Sequence, residues 1–346
     1  STGNDDYFPW RGRYYYYPRH NFHAHGTHRV ILSGIKKQTV SFEDPGLNLA
    51  AQTNRNGINN KLPNSHFNIL KITNKSVEGV EFLTDTYINQ ELVSTITPII
   101  NSENITLAGA KLISGDAWLY NISFTNGTTF EQEHIIKGDV YIKGDLDLNG
   151  YPLTIEGDLF ISGGNIDFSG QNVSVSGNLN VSGSTLSLNS GSLTVAGEIK
   201  QTAGTINVSK GTLFAHKNYY HQAGTLEIGG GRLEIEGNYR SQSITVDENN
   251  NPVYGASTGL LKMINADDYM LVKGGFFIDS AYGGEAITTS YQNTSYRYYS
   301  RYLLNSGTLE IEGDFEQKRT GNDDYIPWRG RYYYYPRHNF HAHGTH

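Results

Sequence analysis

The sequence predicts an all-β fold: a β-solenoid (β-helix) of about 20-residue rungs with loop insertions, part of a tandem or filamentous array. Three observations predict it. A 27-residue segment at the start, TGNDDYFPWRGRYYYYPRHNFHAHGTH (2–28), returns at 320–346 with Ile326 for Phe8 as the one change. The central third repeats every 20 residues, and within each period apolar and polar residues alternate. That alternation is the period-2 signature of a strand with one buried face.

The 20-residue units begin at Leu153, Val173, Leu193, Leu213 and Leu233. Gly157, Gly177, Gly197 and Gly237 share one slot, with Lys217 as its exception. Ile166, Leu186, Ile206 and Leu226 share a second, and Phe168, Leu188, Val208 and Ile228 a third. Upstream, HIIKGDVYIKGDLDLNGYP from His134 fits the same frame with one residue deleted. A β-sandwich of hairpins has no need of a constant register, so stacked coils account for the pattern better.

The frame breaks at 243–260, a stretch rich in Asn, Gly and Pro that reads as an insertion loop. Leu261-x-Met263 and Met270-x-Val272 read as strands, the Tyr- and Ser-rich residues 281–302 as a second excursion, and 307–317 as a rung again. Near the start, RVILSG, QTVSF, FNILKIT and VEF alternate as further rungs, with the Asn-rich 52–65 looping out. The organisation is therefore a first junction (1–28), rungs with Asn-rich insertions (29–133), a regular solenoid (134–242), a solenoid with Tyr/Ser-rich insertions (243–319) and a second junction (320–346).

GTHRVILSGIKKQTVSF (26–42), HFNILKITN (66–74) and GTLEIEGDFEQ (307–317), set around the glycine-punctuated ladder, resemble large secreted tandem-repeat proteins of Gram-positive bacteria. The resemblance implies a solenoid displayed at or outside the cell surface and brings no catalytic residues. The Tyr/His-rich junction departs from it.

Composition narrows the function. A net charge of −7 leaves no basic footprint for nucleic acid. Cysteine is absent, which removes disulfide scaffolds and thiolate metal sites. No run of about 18 apolar residues is present to span a bilayer. No signal peptide starts at Ser1, so a secreted protein would carry its signal elsewhere or have lost it. Hydrolase and phosphate-loop motifs are missing, no cofactor is expected, and the chain is not read as an enzyme. Asp139, Asp158 and Asp314 each follow a glycine, as in a solvated turn. GGNIDFSG (163–170) lacks the full repeated pattern of calcium-binding nonapeptides.

The junctions carry the candidate site: Trp10, Arg11, Arg13, Tyr14, Tyr15, Tyr16, Tyr17, His23 and His25 in the first copy, and Trp328, Tyr332, Tyr333, Tyr334, Tyr335, His341 and His343 in the second. The two copies hold eight of the chain's twelve histidines. His23 and His25 would share a strand face and could reach one metal ion, or serve as polar partners of Tyr and Asn. The aromatic–cationic cluster suits a seam between repeats or a platform for sugar rings, and alternation would put two tyrosines on each face. Sequons at Asn74, Asn104, Asn121, Asn126, Asn172, Asn180, Asn207 and Asn293 are glycan acceptors only where they lie outside the core.

The expected function is a structural repeat of an extracellular or cell-surface filament whose partners are further copies of itself. The alternative is an adhesin stalk whose aromatic loops bind glycans or another cell.

Overall fold

Short runs such as LTI, LNV and TLS carry one or two apolar side chains on a single face, too few to fold alone but enough to add a layer to a neighbour. The computed structural model of the chain describes residues 6–10, 13–17, 22, 24, 26–46, 52–53, 59–61, 64–94, 99–101, 105–108, 111–114, 121–168, 170–279, 286–291, 294–299, 304–318, 324–328, 331–335 and 342–345. Among them every regular element is a strand, and no helix is long and apolar enough to cross a membrane. The chain divides into two units, Ser1–Glu156 and Gly157–His346.

The second unit is a parallel β-solenoid with three sheets. In the first sheet Leu159–Ile161, Leu179–Val181, Ile199–Gln201 and Tyr219–His221 pair in parallel, and Tyr239–Ser241, Phe276–Ile278 and Phe315–Gln317 continue the ladder. In the second, Asn165–Asp167, Thr185–Ser187, Thr205–Asn207, Ala223–Glu227 and Thr258–Lys262 do the same. In the third the strands are Asn172–Val175, Ser192–Val195, Thr212–Ala215, Arg232–Ile235, Tyr269–Val272 and Thr308–Ile311. Each strand pairs with its equivalent one coil on, so the 20-residue period of the sequence is the length of one coil. The slots containing Ile166 and Phe168 become continuous buried columns, each residue at most 1% exposed. Every such Leu or Ile contributes about 1.5–3 kcal/mol by leaving water.

The first unit is built in the same manner with less regular coils. Arg29–Leu32, Phe67–Ile72 and Thr86–Ser94 pair in parallel, and Thr86–Ser94 pairs along its length with Ile105–Leu107 and Lys111–Ser114. Ile122–Phe124 and Val140–Ile142 extend that ladder. Gln38–Val40, Val80–Phe82 and Ile99–Asn101 form a second sheet. His134–Ile136 pairs with Leu153–Ile155 at an offset of 19 residues, the shortened frame read from the sequence.

The breaks in the frame are antiparallel hairpins rather than open loops. Ser243–Val246 pairs with Pro252–Gly255, Ala286–Tyr291 with Thr294–Tyr299, and Gln52–Thr53 with Asn59–Lys61. The first of these insertions ends sooner than the sequence indicated, because the rung strand resumes at Thr258. A hairpin satisfies its own backbone groups, so a coil can admit one without disturbing its neighbours.

The glycine slot exists because the coils touch there. It runs on past both insertions to Gly274 and Gly313, whose backbones stack on Gly237 and Gly274. A Cβ placed on Gly274 would lie 2.5 Å from the Gly237 carbonyl oxygen and 2.7 Å from its carbon. Gly274→Ala is therefore expected to cost about 1–3 kcal/mol, read as a lowered urea midpoint. A change below about 0.5 kcal/mol would show that the corner can spread.

Candidate functional site

The first part of the duplicated segment forms the same hairpin twice. In the first copy Asp6–Trp10 pairs antiparallel with Arg13–Tyr17, with Asp6 opposite Tyr17 and Trp10 opposite Arg13. In the second, Asp324–Trp328 pairs with Arg331–Tyr335, with Asp324 opposite Tyr335 and Trp328 opposite Arg331. Two residues of sequence, an Arg and a Gly, separate the paired strands each time, the spacing of a tight hairpin. Trp10, Arg13 and Tyr14 to Tyr17 thus lie on hairpin strands, as do Trp328 and Tyr332 to Tyr335. Arg11, His23, His25 and His341 lie outside the described residues. His343 lies on the strand Ala342–Thr345.

The remainder of the segment is bound differently in the two copies. In the first it lies along Ser65–Ile69. The Phe22 carbonyl accepts from the His66 N–H (2.9 Å), and the His28 carbonyl from the Ile69 N–H (3.3 Å). The Ala24 carbonyl faces His66 Nε2 at 3.2 Å, and the Gly26 carbonyl accepts from Asn68 Nδ2. Phe22 closes the end of this cluster, its ring 5.7 Å from Phe67 and 6.3 Å from Phe42. In the second copy Ala342–Thr345 pairs in parallel with Leu304–Ser306, with Ala342 opposite Leu304 and Thr345 opposite Ser306.

A group of three or more His, Asp or Glu side chains able to hold a metal ion is absent among the described residues. The histidines outside the junction, which the sequence reading passed over, are mostly interior. His66 and His221 are fully buried and His134 is 3% exposed, while His216 is exposed and pairs with Glu236 at 2.9 Å. His134 finds no hydrogen-bond partner for either ring nitrogen, and burial lowers its pKa to about 4, the Leu112 backbone offsetting this in part.

His221 belongs to a polar column, Gln201–His221–Ser241, inside the solenoid where the preceding coils place Ile161 and Val181. Its Nδ1 accepts from the Tyr239 hydroxyl at 2.8 Å, and its Nε2 donates to the Gly224 carbonyl at 3.0 Å. That arrangement holds the ring neutral with the proton on Nε2, and burial lowers its pKa to about 4. Tyr219 donates to Gln201 Oε1 at 2.7 Å, and Gln201 Nε2 donates to the Thr225 carbonyl at 2.9 Å. Burial raises the pKa of both tyrosines, so neither ionises in the neutral range. Every polar atom of this column has a structural partner. The residues offer buried reinforcement of the coil.

The corner after the glycine slot is clamped between coils at Asp158 and its Asn equivalents, while Asp314 is exposed, as in a solvated turn. Asp158 Oδ1 accepts from the Asn178 N–H one coil on (2.6 Å), Asn178 Oδ1 from the Glu198 N–H (2.9 Å), Asn218 Oδ1 from the Asn238 N–H (2.9 Å) and Asn238 Oδ1 from the Gly275 N–H (2.7 Å). These side chains supply acceptors for N–H groups that the strand ladders do not reach. Asp139 fits the same scheme from the other side, its N–H donating to Asn121 Oδ1 at 2.8 Å. Spacing alone carried the signal, since Asp or Asn recurs directly after the glycine slot. Of the sequons, Asn74 is fully buried, donates to the Lys36 carbonyl and Gln38 Oε1, and accepts from the Ser76 N–H. That site is closed to a glycan in the folded chain.

No protein-family model matches the chain, and no curated protein and no solved structure matches it.

Proposed function

We propose that the chain is a structural repeat unit of an extracellular or cell-surface β-solenoid filament, joined end to end through its duplicated Tyr/His-rich segment. The observation that carries the reading is that a segment repeated 318 positions apart with one change begins each time with the same hairpin in the same register. A fold that reproduces one element at both ends has the means to make every joint alike. The stacked coils support the reading too, because a parallel ladder ends in unpaired N–H and C=O groups that another layer can satisfy. The resemblance to secreted repeat proteins of Gram-positive bacteria agrees with a location outside the cell.

Electron microscopy with sedimentation velocity on the full chain tests it. Concentration-dependent, unbranched chains of subunits are expected. Changing Tyr14–Tyr17 and Tyr332–Tyr335 together to Ser should abolish them while the far-ultraviolet dichroism of the strands stays unchanged. Subunits that remain monomeric at every concentration would overturn the reading. The adhesin alternative draws on the inserted hairpins, above all the one containing the Tyr-rich strand Thr294–Tyr299. Glycan binding lost on changing Tyr296, Tyr298 and Tyr299 to Ser, with assembly intact, would favour it.

A further inference from the structure

The two copies of the segment meet different strands, Ser65–Ile69 for the first and Leu304–Ser306 for the second. In the second unit the ladder passes from Ala223–Glu227 to Thr258–Lys262, then from Met263 to Leu304, and from Leu304–Ser306 to Ala342–Thr345. The second copy is thus the last described layer, and Leu304–Ser306 is the one described strand it pairs with. In the first unit the ladder begins at the matching residues. Phe22, Ala24, Gly26 and His28 all direct their carbonyls to Ser65–Ile69, and Arg29–Leu32 continues the contact along Ile69–Ile72. The Phe22 and His28 carbonyls meet backbone N–H groups and the Ala24 and Gly26 carbonyls meet the His66 and Asn68 side chains, across a turn at Gly26 (φ 63°), so all four face the same strand. Their equivalents in the second copy are Phe340, Ala342, Gly344 and His346.

We propose that the edge of Ala342–Thr345 turned away from Leu304–Ser306 is the docking edge for residues 65–69 of a second copy of this chain. One copy of the segment then serves as a shared coil, with the end of one repeat on one edge and the start of the next on the other. This rests on the filament reading and adds its joint. The occupant follows from identity of sequence. The first copy is this same peptide with residues 65–69 already seated on it, including the His66 ring over Ala24 and the Asn68 amide on Gly26. One edge admits one strand. Where separate chains join, residues 22–28 of the incoming copy must therefore leave residues 65–69 as residues 340–346 of its neighbour arrive. Within a continuous array no exchange is needed, because one segment fills both roles.

Hydrogen-exchange mass spectrometry of the full chain, below and above the concentration at which it associates, decides the matter. Peptides spanning Phe22 to Leu32 report the first copy and those reaching His346 the second. On association, exchange at residues 342–345 is expected to slow as an end strand becomes an interior one, and exchange at Phe22, whose N–H donates to Ser65 Oγ, to quicken. Residues 65–69 should stay protected throughout. Association with protection confined to the hairpins 6–17 and 324–335 would overturn this joint and leave the filament reading standing. A chain that never associates would overturn both.

Discussion

Tyr239→Ala should destabilise the second unit by about 3–5 kcal/mol, the range for removing a fully buried aromatic side chain. Tyr239 is fully buried in a column of rings, 5.7 Å from Tyr219 and 4.9 Å from Phe276, nearly parallel to the latter at 19°. Alanine leaves a cavity between coils that the backbone ladders hold at a fixed spacing, so the walls cannot collapse. It also strips His221 Nδ1 of its donor. Tyr239→Phe separates the two effects, since it keeps the ring and loses only the hydroxyl, at about 1–3 kcal/mol for the unpaired buried nitrogen. Urea titration followed by dichroism reads both. Coils stabilise one another mainly as nearest neighbours, so the alanine variant should loosen the coils bearing Tyr219 and Phe276 first. Equal losses in the two variants would mean that the hydroxyl, and not the ring, supports this layer.

Acid should weaken the fold between pH 6.5 and 4. His134 and His221 both have pKa values lowered by burial from 6.5 to about 4. In that window the unfolded chain binds protons that the folded chain excludes, so stability is complete above about pH 6.5 and falls as the pH drops towards 4. The linked loss is about 3 kcal/mol for each histidine at the low end. The repeat itself supplies the control substitutions. His221→Gln copies Gln201 from the preceding coil, and His134→Leu copies Leu153, its partner in the ladder. Each should flatten the dependence of unfolding free energy on pH by about half. An unchanged slope in the double variant would place the acid sensitivity elsewhere than in these two histidines.

The same substitutions show how far residue spacing reads the architecture. The columns through Ile166 and Phe168, the glycine corners and the 19-residue coil at His134 were all visible as spacing. A strand's burial pattern is a local, period-2 property, and a stacked coil repeats it at fixed intervals. The interruptions were legible as well, because Asn, Gly and Pro end the alternation. Their folding into antiparallel hairpins was not, since pairing depends on which two short runs meet.

The candidate site divides along the same line. The duplication itself, with its Trp, Arg, Tyr and His residues, was read directly from the sequence. Which edge of the segment meets which strand required both copies to be seen in place. The interior polar groups were illegible for a related reason. Gln201 and His221 occupy slots where spacing calls for an aliphatic residue, and they are satisfied by Tyr219 and Tyr239, each 18 residues away. The sequence by itself determined the coil length, the buried columns and the repeat period, because these follow from local alternation multiplied by translation. The tertiary structure alone decided how buried polar atoms are satisfied, how corners are clamped and which strand edges pair, because each of those is a contact between coils.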